Sequence, residues 1–284
     1  FITVMKEAPI IPRRQMGFQA HVGKEFSGAF LIVILLLLTF TLVLPSPRSI
    51  YPRAFDHAYA PVTIASGSMP LKPTETVTDW FDALNWMRNN ESVTIVASWW
   101  DYGYWIRIIG NKTTLADNGT LNMTQIEQIA WMFLLNETKA IEILSRYQVT
   151  HVVVFNTFDT GGNDIGWGEE SKWRWMARIS ERWTGLNDTA YGNSTLGKDW
   201  YDKNKDGQKT SDEITLNQRG NSTVLYKMMQ YAKKVVDPSF GDTLPSDSIA
   251  QFERHFKLVY PKPSDPKKSY GGAFGIVSIF EVMY

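Results

Sequence analysis

The 284-residue chain has no cysteine, so it is held without disulfides, and thiol catalysis and cysteine-based metal sites are excluded. Its four histidines (His21, His57, His151 and His255) are too far apart in sequence to suggest a zinc pair. It carries no surplus of charge: 29 Lys and Arg balance 29 Asp and Glu, where a nucleic-acid footprint needs a basic excess. No internal repeat is evident. No phosphate-cradling glycine loop occurs either, because Gly110-Asn111-Lys112-Thr113 lacks the spacing. What the chain does have is aromatic. Eleven tryptophans within a 13% aromatic content suit carbohydrate or peptide contacts as well as a large core.

One long uncharged run sets the expected organisation. Residues 27–44, with Leu31-Ile32-Val33-Ile34-Leu35-Leu36-Leu37-Leu38 at their centre, just reach the length of a bilayer span and are expected to form a transmembrane helix. The segment 1–26 before it carries Lys6, Arg13, Arg14 and Lys24, against Arg48 and Arg53 after it. That asymmetry puts the N-terminal side in the cytoplasm and the rest of the chain outside the cell membrane. Eight Asn-x-Ser/Thr triplets, at Asn90, Asn111, Asn118, Asn122, Asn136, Asn187, Asn193 and Asn221, are consistent with an outward placement. Prolines scattered through 45–75 indicate an extended linker, leaving 76–284 as an extracytoplasmic domain.

Within that domain the patterning predicts an α/β fold. Val93–Ser98 and Val149–Phe155 are apolar, β-branched runs of buried-strand type, and helical periodicity appears over 76–87, 126–134, 139–146, from Glu169 onward, and over 220–237. Strand, helices, strand implies a short parallel core sheet, closed by a β segment from Phe256–Tyr260 and Gly275–Met283. His151, inside the second strand, is expected to be a hydrogen-bonded core residue.

The stretch Trp99-Trp100-Asp101-Tyr102-Gly103 sits at the carboxyl end of the first strand, where α/β folds usually hold ligands. Followed by Gly110-Asn111-Lys112-Thr113-Thr114-Leu115-Ala116-Asp117-Asn118-Gly119-Thr120, it resembles the catalytic subunit of oligosaccharyltransferase, a dolichyl-phosphooligosaccharide–protein glycosyltransferase, in its archaeal form. The resemblance implies that Trp99, Trp100 and Asp101, with Tyr102 and Gly103, bind the Ser or Thr two residues after an acceptor Asn. A carboxylate accepts a hydrogen bond from a hydroxyl, and indole N–H groups donate to the hydroxyl oxygen. Such a site rejects the analogue lacking the hydroxyl by a factor on the order of 10⁴ in favourable cases.

A second constellation, Glu169-Glu170-Ser171-Lys172 through Met176 to Ile179, places Lys172, Met176 and Ile179 along one helical face. Alone it reads as an ordinary amphipathic helix. It also resembles the second recognition motif of the same family, with Glu169 where an Asp is usual. By that resemblance Met176 and Ile179 touch the Thr methyl. A buried methyl-sized group is worth about 0.8 kcal/mol, enough for a several-fold preference for Thr over Ser. A third, Asp202, Asn204, Asp206, Gln208, Thr210 and Glu213 with Gly207 at the turn, has the spacing of a twelve-residue calcium loop and is expected to hold Ca²⁺ as a structural staple.

The resemblance further implies transfer of an oligosaccharide from a dolichol-type lipid carrier to the Asn of an N-x-S/T sequon in an acceptor polypeptide. A Mn²⁺ or Mg²⁺ ion would assist, bound by acidic residues of a membrane region outside this chain, so no catalytic residue is named here. Nucleic acid is not an expected partner. Two other readings stay open from the residues themselves: a membrane-anchored carbohydrate-binding module, and a calcium-stapled surface-layer or adhesion protein.

Overall fold

The structure is a computed structural model that describes residues 24–45, 52–54, 63–69, 76–192, 216 and 218–284. It falls into two compact units, Phe1–Ala60 and Pro61–Tyr284. The expected calcium loop (Asp202, Asn204, Asp206, Gln208, Thr210, Glu213), the sequon at Asn193, residues 1–23 of the basic segment and most of the linker lie outside the described residues.

In the first unit, helix α1 spans Lys24–Leu38. At about 1.5 Å per residue, its 15 residues cover roughly 22 Å, short of a hydrocarbon core of about 30 Å. From Thr39 to Val43 the backbone changes to a π-helical turn. Here Thr39 Oγ1 donates to Leu35 O (2.8 Å) and Thr41 Oγ1 to Leu37 O (2.7 Å). No helix among the described residues is long and apolar enough to cross a membrane. The single span expected over 27–44 is thus not met by any described helix, and the inside-to-outside topology drawn from it has no support there. The apolar run is present, but its α-helical bonding stops where the threonine hydroxyls engage the preceding turn.

The second unit is a mixed α/β domain. Its sheet has five strands in the order β2-β1-β3-β5-β4, with β1 Ile95–Ser98, β2 Thr113–Thr114, β3 His151–Asp159, β4 Phe256–Tyr260 and β5 Ala273–Val282. β1 runs parallel to β2 (Ile95 opposite Thr113) and to β3 (Val96 opposite His151). β5 is antiparallel to β3 along nine pairs, from His151–Glu281 to Asp159–Ala273, and β4 is antiparallel to β5. The parallel core and closing β segment expected from sequence are both present. β3 is buried along all but its last residue, as its β-branched and aromatic composition requires.

Helices cover both faces. Successive strand residues point to opposite sides of the sheet. Phe155 packs on Trp80 of α2 (Asp79–Asn89), with ring centroids 5.6 Å apart. On the other face Phe158 clusters with Ala232 of α8 (Val224–Val236), which follows the single turn α7 (Gln218–Asn221). Between β2 and β3 lie α4 (Met123–Phe133) and α5 (Glu137–Arg146), capped by the side chains of Asn122 and Asn136, which accept from Gln125 N and Lys139 N. Two of the sequon asparagines thus terminate helices. α6 (Glu169–Thr184) follows β3 and stops at Gly185, whose φ of 64° is the left-handed helix-ending conformation. α9 (Ser246–His255), not anticipated from the sequence, leads directly into β4. His151 is 2% exposed and pairs through Nδ1 with Thr150 Oγ1 at 3.1 Å, the core role expected of it.

Candidate functional site

β1 ends at Ser98, and the chain turns sharply. Trp100–Tyr102 form one 3₁₀ turn, and α3 (Gly103–Ile108) starts immediately. Gly103 makes this possible by its size. A Cβ there would stand 2.2 Å from Ala116 O and 2.4 Å from Asp117 Cα, so the 115–118 loop can lie directly on the start of α3. That loop is tied down on both sides. Leu115 N donates to Val96 O (3.2 Å), Asn118 Nδ2 donates to Asp101 O (2.9 Å), and Asn118 Oδ1 accepts from Tyr104 N (3.3 Å). The run from Asn111 to Thr120 therefore buttresses the backbone that carries Asp101.

The second half of the site comes from the start of α6, fastened to β3 by two buried glutamates. Glu170 Oε1 accepts from the backbone N–H of Gly166, Trp167 and Gly168 (3.0, 2.9 and 2.9 Å) and from Thr157 Oγ1, while its Oε2 accepts from Thr157 N at 3.2 Å. Glu169 Oε2 accepts from Phe155 N. Gly168 is again a matter of room, since a Cβ would meet Phe155 O at 2.3 Å. With the helix end held in this way, Lys172, one turn on, reaches across to the other motif. Its Nζ lies 2.7 Å from Asp101 Oδ2 and 2.7 Å from Tyr102 Oη, and 4.5 Å from the Tyr102 ring centroid. Two segments about seventy residues apart in sequence thus meet in one charged pair.

The expected site residues divide by depth. Trp99 (3% exposed), Tyr102 (1%), Gly103 and Met176 (0%) are buried. Trp100, Asp101, Lys172 and Ile179 are half-buried, with side-chain exposures of 31% for Asp101 and 19% for Lys172. Trp99 and Trp100 stand with ring centroids 6.3 Å apart. The groups at the surface are therefore one indole, one carboxylate, one ammonium and the Ile179 side chain, while the second indole and Met176 are buried. Of the residues that hold this arrangement in place, Asn118 is marked in the sequence as a sequon and as part of the Gly110–Thr120 run, Glu170 only as a member of the second constellation, and Thr157 not at all. A Glu pair opening a helix was the visible signal, but its purpose depends on β3, which the sequence does not place beside it.

Burial governs the electrostatics. Glu169 has no exposed surface, and desolvation raises its carboxyl from an ordinary 4.5 to about 7, opposed by Lys172, Tyr102 and the Phe155 N–H. Tyr102 is held well above the ordinary phenol range, first by burial and then by the negative Glu169 and Asp101. Among the described residues no group of three or more His, Asp or Glu could hold a metal ion. A cavity of about 210 Å³ lined by Asp79, Asp82, Tyr260, Asp265, Lys267 and Tyr270, among others, shares no residue with the Asp101–Lys172 pair.

Comparison with known proteins gives this geometry a context. Residues 92–160, which include β1, the Trp99–Gly103 turn and β3, match the STT3/PglB/AglB core domain. The dolichyl-diphosphooligosaccharide–protein glycosyltransferase subunit STT3 of Saccharomyces cerevisiae is 34% identical over 142 residues, 46% of this chain and 19% of that protein. The corresponding Caenorhabditis elegans subunit is 29% identical over 179 residues, 62% of this chain and 23% of that protein. The chain thus spans about a fifth of the length of the curated relatives it matches. Among solved structures, the C-terminal globular domain of an Archaeoglobus fulgidus oligosaccharyltransferase aligns over 74% of this chain and 99% of that one, at 23% identity and a TM-score of 0.40. A second structure from that organism, tethered to an acceptor peptide containing an NVT sequon, aligns over 73% of this chain and 33% of that one, at 16% identity and a TM-score of 0.43. Residues 92–160 thus match the STT3/PglB/AglB core domain, and the resemblance to the oligosaccharyltransferase catalytic subunit read from Trp99–Gly103 stands.

Proposed function

We propose that this chain is the acceptor-recognising part of a dolichyl-diphosphooligosaccharide–protein glycosyltransferase, which moves an oligosaccharide from a lipid carrier to the Asn of N-x-S/T sequons. The observation that carries the reading is the meeting of Lys172 Nζ with Asp101 Oδ2 at 2.7 Å, because it joins the two stretches that separately resemble the family's recognition motifs. In this reading Asp101 accepts a hydrogen bond from the Ser or Thr hydroxyl two residues after the acceptor Asn, Trp100 donates to the hydroxyl oxygen, and Lys172 fixes the carboxylate's orientation. The Thr methyl meets Ile179, with Met176 supporting it from the core. Transfer itself would draw on carboxylates and a Mn²⁺ or Mg²⁺ ion outside these residues, and a Ca²⁺ ion in the 202–213 loop would be structural. The row of exposed apolar side chains from Phe30 to Leu44 supports contact between the first unit and a membrane.

The test is made in the full-length enzyme. Asp101→Ala should lower kcat/KM for an Asn-x-Thr peptide by roughly a hundred-fold or more, since the hydroxyl then loses its charged acceptor. Unchanged kinetics in a folded D101A enzyme would remove Asp101 from acceptor recognition.

A further inference from the structure

Helix α2 has two distinct sides. One is packed into the core through Trp80, Ala83, Leu84 and Met87. At about 3.6 residues per turn the other side carries Asp79, Asp82, Asn85, Trp86 and Asn89 in a single stripe. That stripe does not simply face solvent. With Asn90 and with Tyr260 at the end of β4, its residues from Asp82 to Asn89 line a groove of about 540 Å³. Asp82 and Tyr260 also line the cavity of about 210 Å³, which continues to Asp79 and the buried Tyr270. The two hollows together fall within the range of roughly 300–1,000 Å³ usual for ligand sites. Their lining is polar with an aromatic plate. Trp86 and Tyr260 stand with ring centroids 5.6 Å apart, tilted by 37°. Asn89 Nδ2 donates to Asn85 Oδ1 (3.2 Å), which leaves the Asn85 donor and the Asn89 acceptor for a ligand. Asp79 Oδ2 is buried with no hydrogen-bond partner among the described residues, and desolvation raises this carboxyl from 3.8 to about 6. Lys267, on the opposite wall, spends its ammonium on the backbone carbonyls of Lys262 (2.8 Å) and Asp265.

We propose that this groove is a second binding site, separate from the Asp101 site, and that its ligand is a short neutral oligosaccharide. A sugar ring offers an apolar C–H face to the Trp86 and Tyr260 rings, and hydroxyls around its rim that both donate and accept. The carboxylates of Asp79 and Asp82 accept from those hydroxyls, and the Asn85 and Asn89 amides donate to them and accept from them. Binding thereby supplies the partner that Asp79 Oδ2 lacks. A metal ion is not served by this set, since no group of three or more His, Asp or Glu among the described residues could hold one. An ammonium ligand would match the carboxylates and leave the Asn85 donor unused. The groove and cavity share no residue with the Asp101–Lys172 pair, so the inference does not rest on the acceptor reading.

The experiment titrates the 284-residue chain with maltotriose, cellotriose, mannotriose and chitotriose, each up to about 10 mM, and with spermidine as the amine control. The Trp86 indole and the Asn85 and Asn89 side-chain amides are followed by NMR. Saturable shifts at all three with at least one trisaccharide are expected. Trp86→Ala should weaken that binding by about ten-fold or more, and Asn85→Ala several-fold. Neither change should alter the affinity of an Asn-x-Thr peptide, so failure of one site is read separately from failure of the other. The inference is overturned if no trisaccharide shifts these signals, or if spermidine alone does. Undiminished trisaccharide affinity in a folded W86A or N85A chain overturns it equally. Should W86A fail to fold, N85A and Asp82→Asn, both at exposed positions of α2, carry the same decision.

Discussion

Lys172 Nζ stands 2.7 Å from Asp101 Oδ2, and the same ammonium lies 2.7 Å from Tyr102 Oη. Because both members of the pair are partly exposed, its contribution to folding is small. Lys172→Met should cost about 1 kcal/mol or less in stability. The same change should sharply weaken binding of an Asn-x-Thr peptide, because Asp101 loses the group that orients it. Chemical denaturation and peptide titration on one sample separate the two effects.

Gly103 should be intolerant of any side chain. A Cβ at 2.2 Å from Ala116 O meets backbone, which cannot swing aside, so Gly103→Ala should destabilise the domain by about 1–3 kcal/mol. It should also loosen the Asn118 bond to Asp101 O. Urea melts compared with wild type check the first effect, and the Asn118 side-chain amide signal checks the second.

Met176 and Ile179 should behave differently although they lie on one helical face. Met176 is 0% exposed, so Met176→Ala should cost about 2–5 kcal/mol through the cavity it leaves. Ile179 is half-buried at the helix surface, so Ile179→Ala should cost less stability. It should also erase the several-fold preference for Thr over Ser at the position after the acceptor. Melting curves and paired Thr and Ser peptides distinguish the two residues.

Glu169 should also leave its mark on stability. Its carboxyl is raised from 4.5 to about 7 in the folded chain, so the folded state holds this proton more tightly than the unfolded one. The resulting stabilisation is fully present below about pH 4.5 and is lost as pH rises through about 7, by at most about 3 kcal/mol. The difference in unfolding free energy between the native chain and E169Q, measured at pH 5 and pH 8, should change accordingly. A difference independent of pH would contradict the burial described here.

Much of this architecture is readable in the chain. β3 is a continuous β-branched and aromatic run, so its burial on both faces follows from composition. The segment from Lys172 to Ile179 has helical spacing and is helical. Depth was the harder property. Trp99 and Trp100 are adjacent and chemically identical, yet one is core and the other half-exposed, because the turn after Ser98 sends their side chains to different surroundings. The same limit hid Glu170, since five hydrogen bonds from residues 157–168 cannot be inferred before β3 and α6 are brought together. α9 went unseen because its three apolar residues, Ile249, Ala250 and Phe252, cover too little sequence to show a helical period, and tertiary packing around Phe252 stabilises it. The apolar run in the first unit read as one span. Local threonine hydroxyl bonding, which hydropathy does not register, alters its final turn.

The most direct measurement is a titration of the 284-residue chain with two peptides that differ only in the residue two positions after Asn, Thr in one and Ala in the other, observed at the Trp100 indole and the Lys172 ammonium by NMR. Saturable shifts at both groups with the Thr peptide, absent with the Ala peptide and lost in a folded D101A chain, are expected. Equal shifts with both peptides, or none at Trp100 and Lys172 with either, would contradict a hydroxyl-recognising site between Asp101 and Lys172.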